Sequence, residues 1–199
     1  MSLETRTLTR PLVVRAADKG RTIGGYAAIF NSPADIGDSF REIIAPGAFT
    51  DALAQDVRAL IDHNSGRVIG RTTAGTLRLS QDETGLAVEI DLPDTSDGRD
   101  LATLIERGDV SGMSFGFIVT KQTWDETGDV PTRTIEAVDL REVSVVAFPA
   151  YDDTSIALRS LDADREAARK ALAEHNREKA EARIAERKAA AEHKFRRIG

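Results

Sequence analysis

Short runs of apolar and β-branched residues, interrupted by glycine and proline, make up the first 160 positions of the chain. Runs such as residues 22–30 and 85–92 have the alternating apolar content of half-buried strands. The pattern predicts strands at about 10–16, 22–30, 38–44, 56–62, 75–80, 85–92, 110–120, 131–138 and 140–148. Because long crossovers between them are few, an antiparallel barrel or sandwich is favoured over a doubly wound sheet.

Two helices interrupt the predicted strands. Pro46 opens a short helix that runs to about residue 54, since proline is well tolerated in a first turn. Thr95 or Ser96 can cap a second helix over residues 97–107, because hydroxyl side chains accept bonds from the first helical N–H groups. That helix ends at Gly108, which suits the left-handed position after a helix.

The composition changes near residue 160. The segment 161–199 has no proline and a single glycine at its last position, and its Ala, Glu, Lys and Arg residues favour a helix. Its large apolar residues recur only about every 11 positions, at Leu161, Leu172, Ile184 and Phe195. The sequence therefore predicts a mainly β domain over 1–160 and one long, weakly amphipathic helix over 161–199. That helix is either a partner-binding or scaffold-like element, or simply a disordered-to-helical extension.

Charge and composition exclude several classes of protein. The net charge of −6 divides into −9 over residues 1–160 and +3 over residues 161–199, and an acidic body argues against nucleic acid as a partner. No run approaches the roughly 20 apolar residues that span a bilayer, and the charged start lacks a signal peptide's apolar run. We therefore expect a soluble, cytoplasmic protein with no membrane partner. With no cysteine and three histidines, we expect no metal centre and no cofactor.

A serine between two glycines is the first candidate for chemistry. Alternation places Ser114 and Gly116 on the strand face opposite Phe115. Glycines in strands are common where a ligand or another backbone approaches closely. Ser114 is thus either a reactive hydroxyl or a small residue at a crowded position. Gly112 to Gly116 also matches G-x-S-x-G, but that motif needs a strand-to-helix turn, so an esterase-type hydrolase is disfavoured.

His63 is the only histidine before residue 160, and it lies where a predicted strand ends in a turn. A serine hydroxyl needs an adjacent general base to act as a nucleophile, and that base is most often histidine. His63 is therefore the candidate base for Ser114, with a surface turn residue as the ordinary alternative.

Glu142 is a carboxylate within a strongly apolar strand. Such a group should have a partner, because an unpaired buried charge is very costly. The partner is either Arg141 or a histidine N–H, and the second would hold the imidazole in the tautomer of a general base. Asp62 and Asp139 are rival acids, and simple alternation places Asp139 on the face opposite Glu142.

Together with their surroundings, His63, Ser114 and Glu142 resemble, in this order, the prohead (procapsid) maturation proteases of tailed phages. These serine peptidases are similar in fold to the herpesvirus capsid-assembly protease. The resemblance covers roughly residues 20–158 and depends on six short segments, at residues 25–30, 42–49, 60–70, 94–100, 108–117 and 140–150.

The resemblance implies a small β-barrel flanked by short α-helices, with a serine endopeptidase site of the Ser-His-Glu type. Ser114 would attack the scissile carbonyl, His63 would transfer the proton and Glu142 would orient His63. The oxyanion donor would lie just after the strand of the third member, at the backbone N–H of Ala150 or Tyr151.

The resemblance also implies partners and a place of action. The substrates would be the scaffold, or the scaffolding segment of the major capsid protein, and the protease itself, inside the prohead in the host cytoplasm. The tail over 161–199 would direct incorporation into the prohead and be removed by self-cleavage, and self-association is compatible with this role. The alternative is a non-catalytic capsid-assembly scaffold protein that uses the same barrel and tail.

Overall fold

The computed structural model describes residues 3–9, 12–17, 20–37, 39–148, 166, 169–175, 177–179 and 181. The chain divides into two units, Met1–Ile156 and Ala157–Gly199. In the second unit the described residues are all helical, and Glu166 pairs with Lys170 at 3.5 Å. The rest of the predicted tail helix lies outside the described residues, with Leu161, Ile184 and Phe195. None of the described helices is long and apolar enough to cross a membrane.

Strands dominate the first unit. Its described elements, in chain order, are β1 (Glu4–Thr9), β2 (Val13–Ala17), β3 (Gly20–Ile29), β4 (Ala34–Ile36), β5 (Phe40–Ile44), a 3₁₀ helix (Asp51–Ala54), β6 (Arg58–Ile61), β7 (Asn64–Arg71), a second 3₁₀ helix (Thr72–Ala74), β8 (Leu77–Gln81), β9 (Gly85–Asp91), α1 (Ser96–Arg107), β10 (Gly112–Asp125) and β11 (Thr132–Val146). The expectation of a mainly β domain with few helices is confirmed.

The described strands form two sheets. The larger has seven strands in the order β1-β10-β11-β5-β4, with β6 paired to β11 and β7 paired to β6, and the smaller has the four strands β2-β3-β9-β8. The first part of β11 pairs with β5 and its last part with β6, both in parallel, so one long strand serves two neighbours on the same edge. No ladder among the described strands joins the two sheets into a closed barrel. Two open sheets therefore stand where the resemblance implied a barrel.

Several predicted elements differ from the structure. The strands predicted at 131–138 and 140–148 are one continuous strand, β11. The short helix predicted from Pro46 is a series of turns followed by the 3₁₀ helix Asp51–Ala54. Strands β1, β4 and β7 were missing from the prediction, since β4 has only three residues and most positions of β7 are exposed.

The predicted helix after residue 95 is confirmed as α1. The Thr95 side chain accepts a hydrogen bond from the Gly98 N–H at 3.3 Å, and Gly108 ends the helix with φ 81°. Leu101, Ala102 and Ile105 form its buried face. Both ends and the apolar face were thus readable from local sequence.

Apolar side chains from both sheets meet in one core. Phe49 contacts Phe115 edge-on with ring centroids 5.5 Å apart, and Phe115 stacks on Phe117 at 4.8 Å. Ile23 of β3 and Val143 of β11 belong to the same cluster. The core thus packs behind one face of β10 and β11, and their other face carries the candidate site.

Four charged side chains are buried beside this core: Glu4 and Arg6 on β1, Glu42 on β5 and Arg133 on β11, each between 0% and 7% exposed. Arg133 donates to both oxygens of Glu4, at 2.8 and 2.9 Å, and to Glu42 Oε2 at 3.0 Å. Arg6 donates to both oxygens of Glu42, at 2.6 and 2.9 Å, and to Glu4 Oε2 at 2.9 Å. The cluster is neutral overall and ties β1 to β5 and β11.

Burial and charge oppose each other at Glu4. Burial alone raises the pKa of this carboxyl group, but the hydrogen bonds and positive charges of Arg133 and Arg6 outweigh it. The pKa of Glu4 therefore lies below its ordinary value, and the group is held ionised inside the protein.

Candidate active site

His63 lies in the tight turn that joins β6 to β7. Ile61 pairs with Asn64, so Asp62 and His63 are the two turn residues, with φ 48° and 56°. Two successive residues with positive φ angles are typical of a type I′ hairpin turn. Each such residue that is not glycine costs roughly 1–3 kcal/mol of conformational strain. The strain persists because the surrounding contacts hold the turn in place.

Three hydrogen bonds fix this turn on the end of β11. The Asp62 N–H donates to the Val145 carbonyl at 3.0 Å, and the His63 N–H donates to Ser144 Oγ at 3.2 Å. The Asp62 carboxylate accepts from the Ala147 N–H at 3.2 Å. Asp62, one of the rival acids, therefore anchors the turn, and its carboxylate is not the ring partner of His63.

The His63 ring contacts Glu142. Nδ1 of His63 lies 2.7 Å from Oε1 of Glu142. Because a carboxylate only accepts hydrogen bonds, Nδ1 carries the proton and Nε2 keeps its lone pair. Nε2 is buried and has no hydrogen-bond partner within the described part of the chain. The imidazole is thus held in the tautomer that accepts a proton at Nε2.

Glu142 also sets the proton affinity of the ring. The hydrogen bond to Glu142 raises the pKa of His63, burial opposes it, and the charges of Glu142 and Asp62 add to the rise. The net result is a pKa above the ordinary value of 6.5.

A β-bulge at Arg141 decides on which face of β11 Asp139 lies relative to Glu142. Gly116 pairs with Glu142 but Phe117 pairs with Leu140, so Arg141 has no position opposite it on β10. Beyond the bulge the alternation shifts by one residue, which places Asp139 on the same face as Glu142. The expectation of opposite faces is wrong, because simple alternation does not survive an inserted residue.

Asp139, the other rival acid, and Arg141, the alternative partner of Glu142, form an ion pair with each other. Arg141 Nη2 donates to Asp139 Oδ2 at 2.5 Å. Neither side chain is the hydrogen-bond partner of Glu142 among the described contacts, which are His63 and Ser144. Of the three predicted acids, Glu142 is the one in contact with the ring.

Ser114 lies on the same sheet face as Glu142, one strand away. It pairs with Ser144 of β11 on one side and with Thr7 of β1 on the other, and it is fully buried. Its hydroxyl donates to the Arg6 main-chain carbonyl at 2.9 Å. The fold thus brings the three predicted residues to one face, with His63 and Glu142 in contact and the Ser114 hydroxyl bonded to Arg6.

The glycine after Ser114 makes room for the acid. A Cβ atom on Gly116 would lie 2.5 Å from Glu142 Oε1, so any side chain there displaces the carboxylate. The space that Gly116 leaves beside the serine strand is therefore filled by Glu142 itself.

The strand that carries Ser114 continues past the serine. β10 runs from Gly112 to Asp125 without entering a helix, so the strand-to-helix turn of the α/β-hydrolases is absent from this segment. The predicted oxyanion donors Ala150 and Tyr151 lie outside the described residues.

Comparison with known protein families identifies the family of this chain. Residues 10–168 match the family described as caudovirus prohead serine protease (peptidase S78). The chain belongs to this family. The family membership expected from the sequence is confirmed.

One sequence relative and one solved structure show what this prohead protease family member is similar to. The chain is 38% identical over 148 residues to the prohead protease of Enterobacteria phage HK97. The matched region covers 69% of this chain and 60% of that relative. The chain is similar in fold to the bacteriophage T4 capsid assembly protease gp21, with a TM-score of 0.53 and 12% identity, over 74% of this chain and 98% of that one. The shared fold thus persists at very low sequence identity.

Ser144 also lies at this candidate site but was not among the residues predicted from the sequence. Its Oγ donates to Glu142 Oε2 at 2.6 Å and is fully buried. A signal was present, because Ser144 follows Glu142 by two positions and therefore shares its strand face. The contact of Ser114 with the Arg6 carbonyl had no such signal, since the sequence pattern does not predict β1.

Proposed function

We propose that this chain is a serine endopeptidase of phage capsid maturation, in which Ser114 is the nucleophile, His63 the general base and Glu142 the acid that orients His63. The observation that carries the proposal is the 2.7 Å contact between His63 Nδ1 and Glu142 Oε1, with Nε2 buried and unpartnered among the described residues. A base held in this tautomer is what a serine nucleophile requires.

The proposed reaction begins when the Ser114 hydroxyl turns from the Arg6 carbonyl toward His63 Nε2. The oxygen attacks the scissile carbonyl carbon while His63 accepts its proton, and Glu142 stabilises the imidazolium that forms. His63 then returns the proton to the leaving amine, which leaves an acyl group on Ser114. Water, activated by His63, hydrolyses that ester, and the backbone N–H of Ala150 or Tyr151 is the proposed oxyanion donor.

The proposed substrates are the scaffold or the scaffolding segment of the major capsid protein, and the chain itself. This part of the proposal is supported by the family and by the two similar proteins, one a prohead protease and the other a capsid assembly protease. It places the reaction inside the prohead, in the host cytoplasm. Residues 161–199 are proposed to direct incorporation and to be removed by self-cleavage, with self-association as a further proposal.

Co-expression tests the proposed function. The chain is expressed with the major capsid protein of its own phage, and the masses of both proteins are followed by mass spectrometry. We expect a shortened capsid or scaffold product with a new terminus. A capsid protein that keeps its full mass in assembled proheads would instead support the alternative, a non-catalytic scaffold protein, which no described contact favours.

The rate of cleavage should rise with pH. His63 accepts a proton only when it is neutral, and Glu142 raises its pKa, so the half-maximal rate should lie above pH 6.5. Initial rates from about pH 5 to pH 9 and the NMR titration of the His63 ring measure this midpoint. In Glu142→Gln the ring midpoint should fall toward 6.5. A rate that does not change over this range would contradict histidine as the base.

Replacing Gly116 by alanine should lower activity while the chain stays folded. The new Cβ displaces the Glu142 carboxylate, which is the end of a flexible side chain, so the conflict is relieved at the site. A displacement of about 1 Å in a catalytic group costs on the order of 100-fold in rate. The rate of cleavage and the thermal unfolding midpoint are the two measurements.

Gly24→Ala is the matched control for this variant. A Cβ on Gly24 lies 3.6 Å from the Val88 carbonyl, an ordinary contact, and the residue is in the other sheet. The control should keep wild-type activity. Equal activity of Gly116→Ala and wild type would show that the position of Glu142 does not limit the reaction.

A further inference from the structure

We propose that Ser144 is a positioning residue of this site, whose hydroxyl group fixes the Glu142 carboxylate and the His63 main chain at the same time. The inference rests on the proposed function, because it concerns the alignment of the proposed acid and base. It adds a fourth side chain to the three that the sequence predicts.

The Ser144 hydroxyl is a hydrogen-bond donor in one contact and an acceptor in the other. Ser144 Oγ donates its proton to Glu142 Oε2 at 2.6 Å and accepts from the His63 N–H at 3.2 Å. A hydroxyl has one proton and two acceptor lone pairs, so both bonds form together. The side chain thus links the acid directly to the backbone that carries the base.

The bond to Glu142 fixes the orientation of the carboxylate. Oε1 faces His63 Nδ1 at 2.7 Å and Oε2 faces Ser144 Oγ at 2.6 Å, so both oxygens are held. Without Ser144, the carboxylate would keep only its bond to the ring. It could then rotate, and the imidazole would lose the partner that defines its position.

The bond to His63 holds a strained turn in place. His63 has φ 56°, a left-handed conformation that a non-glycine residue keeps only where its surroundings enforce it. Ser144 supplies one of the three bonds that tie this turn to the end of β11. Loss of the hydroxyl therefore loosens the base as well as the acid.

The location of Ser144 also favours a role in alignment over simple packing. It is fully buried and its hydroxyl bonds to both Glu142 and the His63 N–H, whereas packing alone would be served by alanine. It also pairs directly with Ser114 on β10. The residue that links acid and base is thus the cross-strand neighbour of the proposed nucleophile.

The experiment compares Ser144→Ala with Ser144→Thr, which keeps the hydroxyl, and with Ser80→Ala as a matched control on an exposed position of β8. The readout is the rate at which a fluorophosphonate probe labels Ser114, measured as a function of pH. In this reaction the serine oxygen bonds to phosphorus, fluoride leaves and His63 takes the proton. We expect the labelling of Ser144→Ala to be roughly 10- to 100-fold slower than that of wild type. Losses of this size are found when side chains that orient the ligands of a metal ion are removed.

The pH dependence separates positioning from general damage. Glu142 and Asp62 are the charged groups that act on His63, and Ser144→Ala loosens the contact with Glu142. The midpoint of labelling should therefore move down toward pH 6.5, and Ser80→Ala should match wild type. If Ser144→Ala changes thermal stability but leaves the labelling rate per folded molecule and its midpoint unchanged, the residue is structural only and the inference is wrong.

A second measurement keeps the inference testable where Ser144→Thr is too large for its buried position. The NMR titration of the His63 ring in Ser114→Ala and in Ser114→Ala/Ser144→Ala needs no activity. We expect a lower midpoint in the double variant, and an equal midpoint would overturn the inference. If wild type neither labels nor cleaves, the proposed function fails, whereas the NMR comparison still decides the role of Ser144.

Discussion

Replacing Ser114 by alanine is expected to abolish cleavage of the co-expressed capsid protein while the chain remains folded. The substitution removes the proposed nucleophile and one hydrogen bond, from Ser114 Oγ to the Arg6 carbonyl. Loss of the nucleophile or base of a catalytic triad costs on the order of 10⁴- to 10⁶-fold in rate. Product masses and thermal unfolding of the purified variant are the measurements.

The same loss is expected for His63→Ala, and the double variant should be no slower than either single one, because the residues act as a unit. His175→Ala is the matched control, since this histidine is an exposed residue of the tail helix. Full-rate processing by Ser114→Ala would reject the assignment of the nucleophile. Labelling of another serine by a fluorophosphonate in that variant would show where the reactive hydroxyl is.

The identity of the three candidate site residues was predictable from their side-chain chemistry and their positions in the sequence. A lone histidine, a serine between glycines and a carboxylate in an apolar strand each required an explanation, and the fold brings them to one sheet face. The direction of the Ser114 hydroxyl was not predictable, because its acceptor lies on a strand with no apolar signal. Hydrogen-bond partners of this kind depend on which backbone lies alongside, which sequence spacing does not encode.

The fold was predictable where burial follows the ordinary alternation of apolar and polar residues. Strands such as β9 and the helix α1 have apolar buried faces and turn residues at their ends. β1 lacks this pattern, because its buried positions include Glu4 and Arg6. Alternation failed at the Arg141 bulge for a different reason, since one inserted residue reverses the face assignments from Leu140 to the next register shift within β11, between Ala137 and Ile135.

Replacing Arg133 by methionine should produce a large loss of stability, because it breaks the buried charge cluster. Arg133 is fully buried and neutralises Glu4 and Glu42, so its removal leaves two buried carboxylates with Arg6 as the remaining cation of the cluster. Breaking a buried pair from one side costs about 3–5 kcal/mol. Against a total stability of about 5–15 kcal/mol, this loss should be visible in denaturant unfolding.

The matched control for this variant is Arg78→Met. Arg78 binds Asp91 through two hydrogen bonds, at 2.6 and 2.9 Å, but its side chain is 46% exposed. Water solvates the carboxylate that is left behind, so the expected loss is at most about 1 kcal/mol. Similar losses for both variants would show that the buried cluster is not held together by charge.

Lowering the pH should narrow the difference in the free energy of unfolding between wild type and Arg133→Met. The pKa of Glu4 in the folded wild-type protein lies below its ordinary value of 4.5, so its pairing stabilises the protein above pH 4.5 and is lost as the pH falls through the lowered pKa. In the variant the carboxylate lacks Arg133 and takes up a proton at higher pH. A stability deficit that stays constant from neutral pH to about pH 4 would mean that the lost packing of the arginine side chain, rather than an unpaired charge, destabilises the variant.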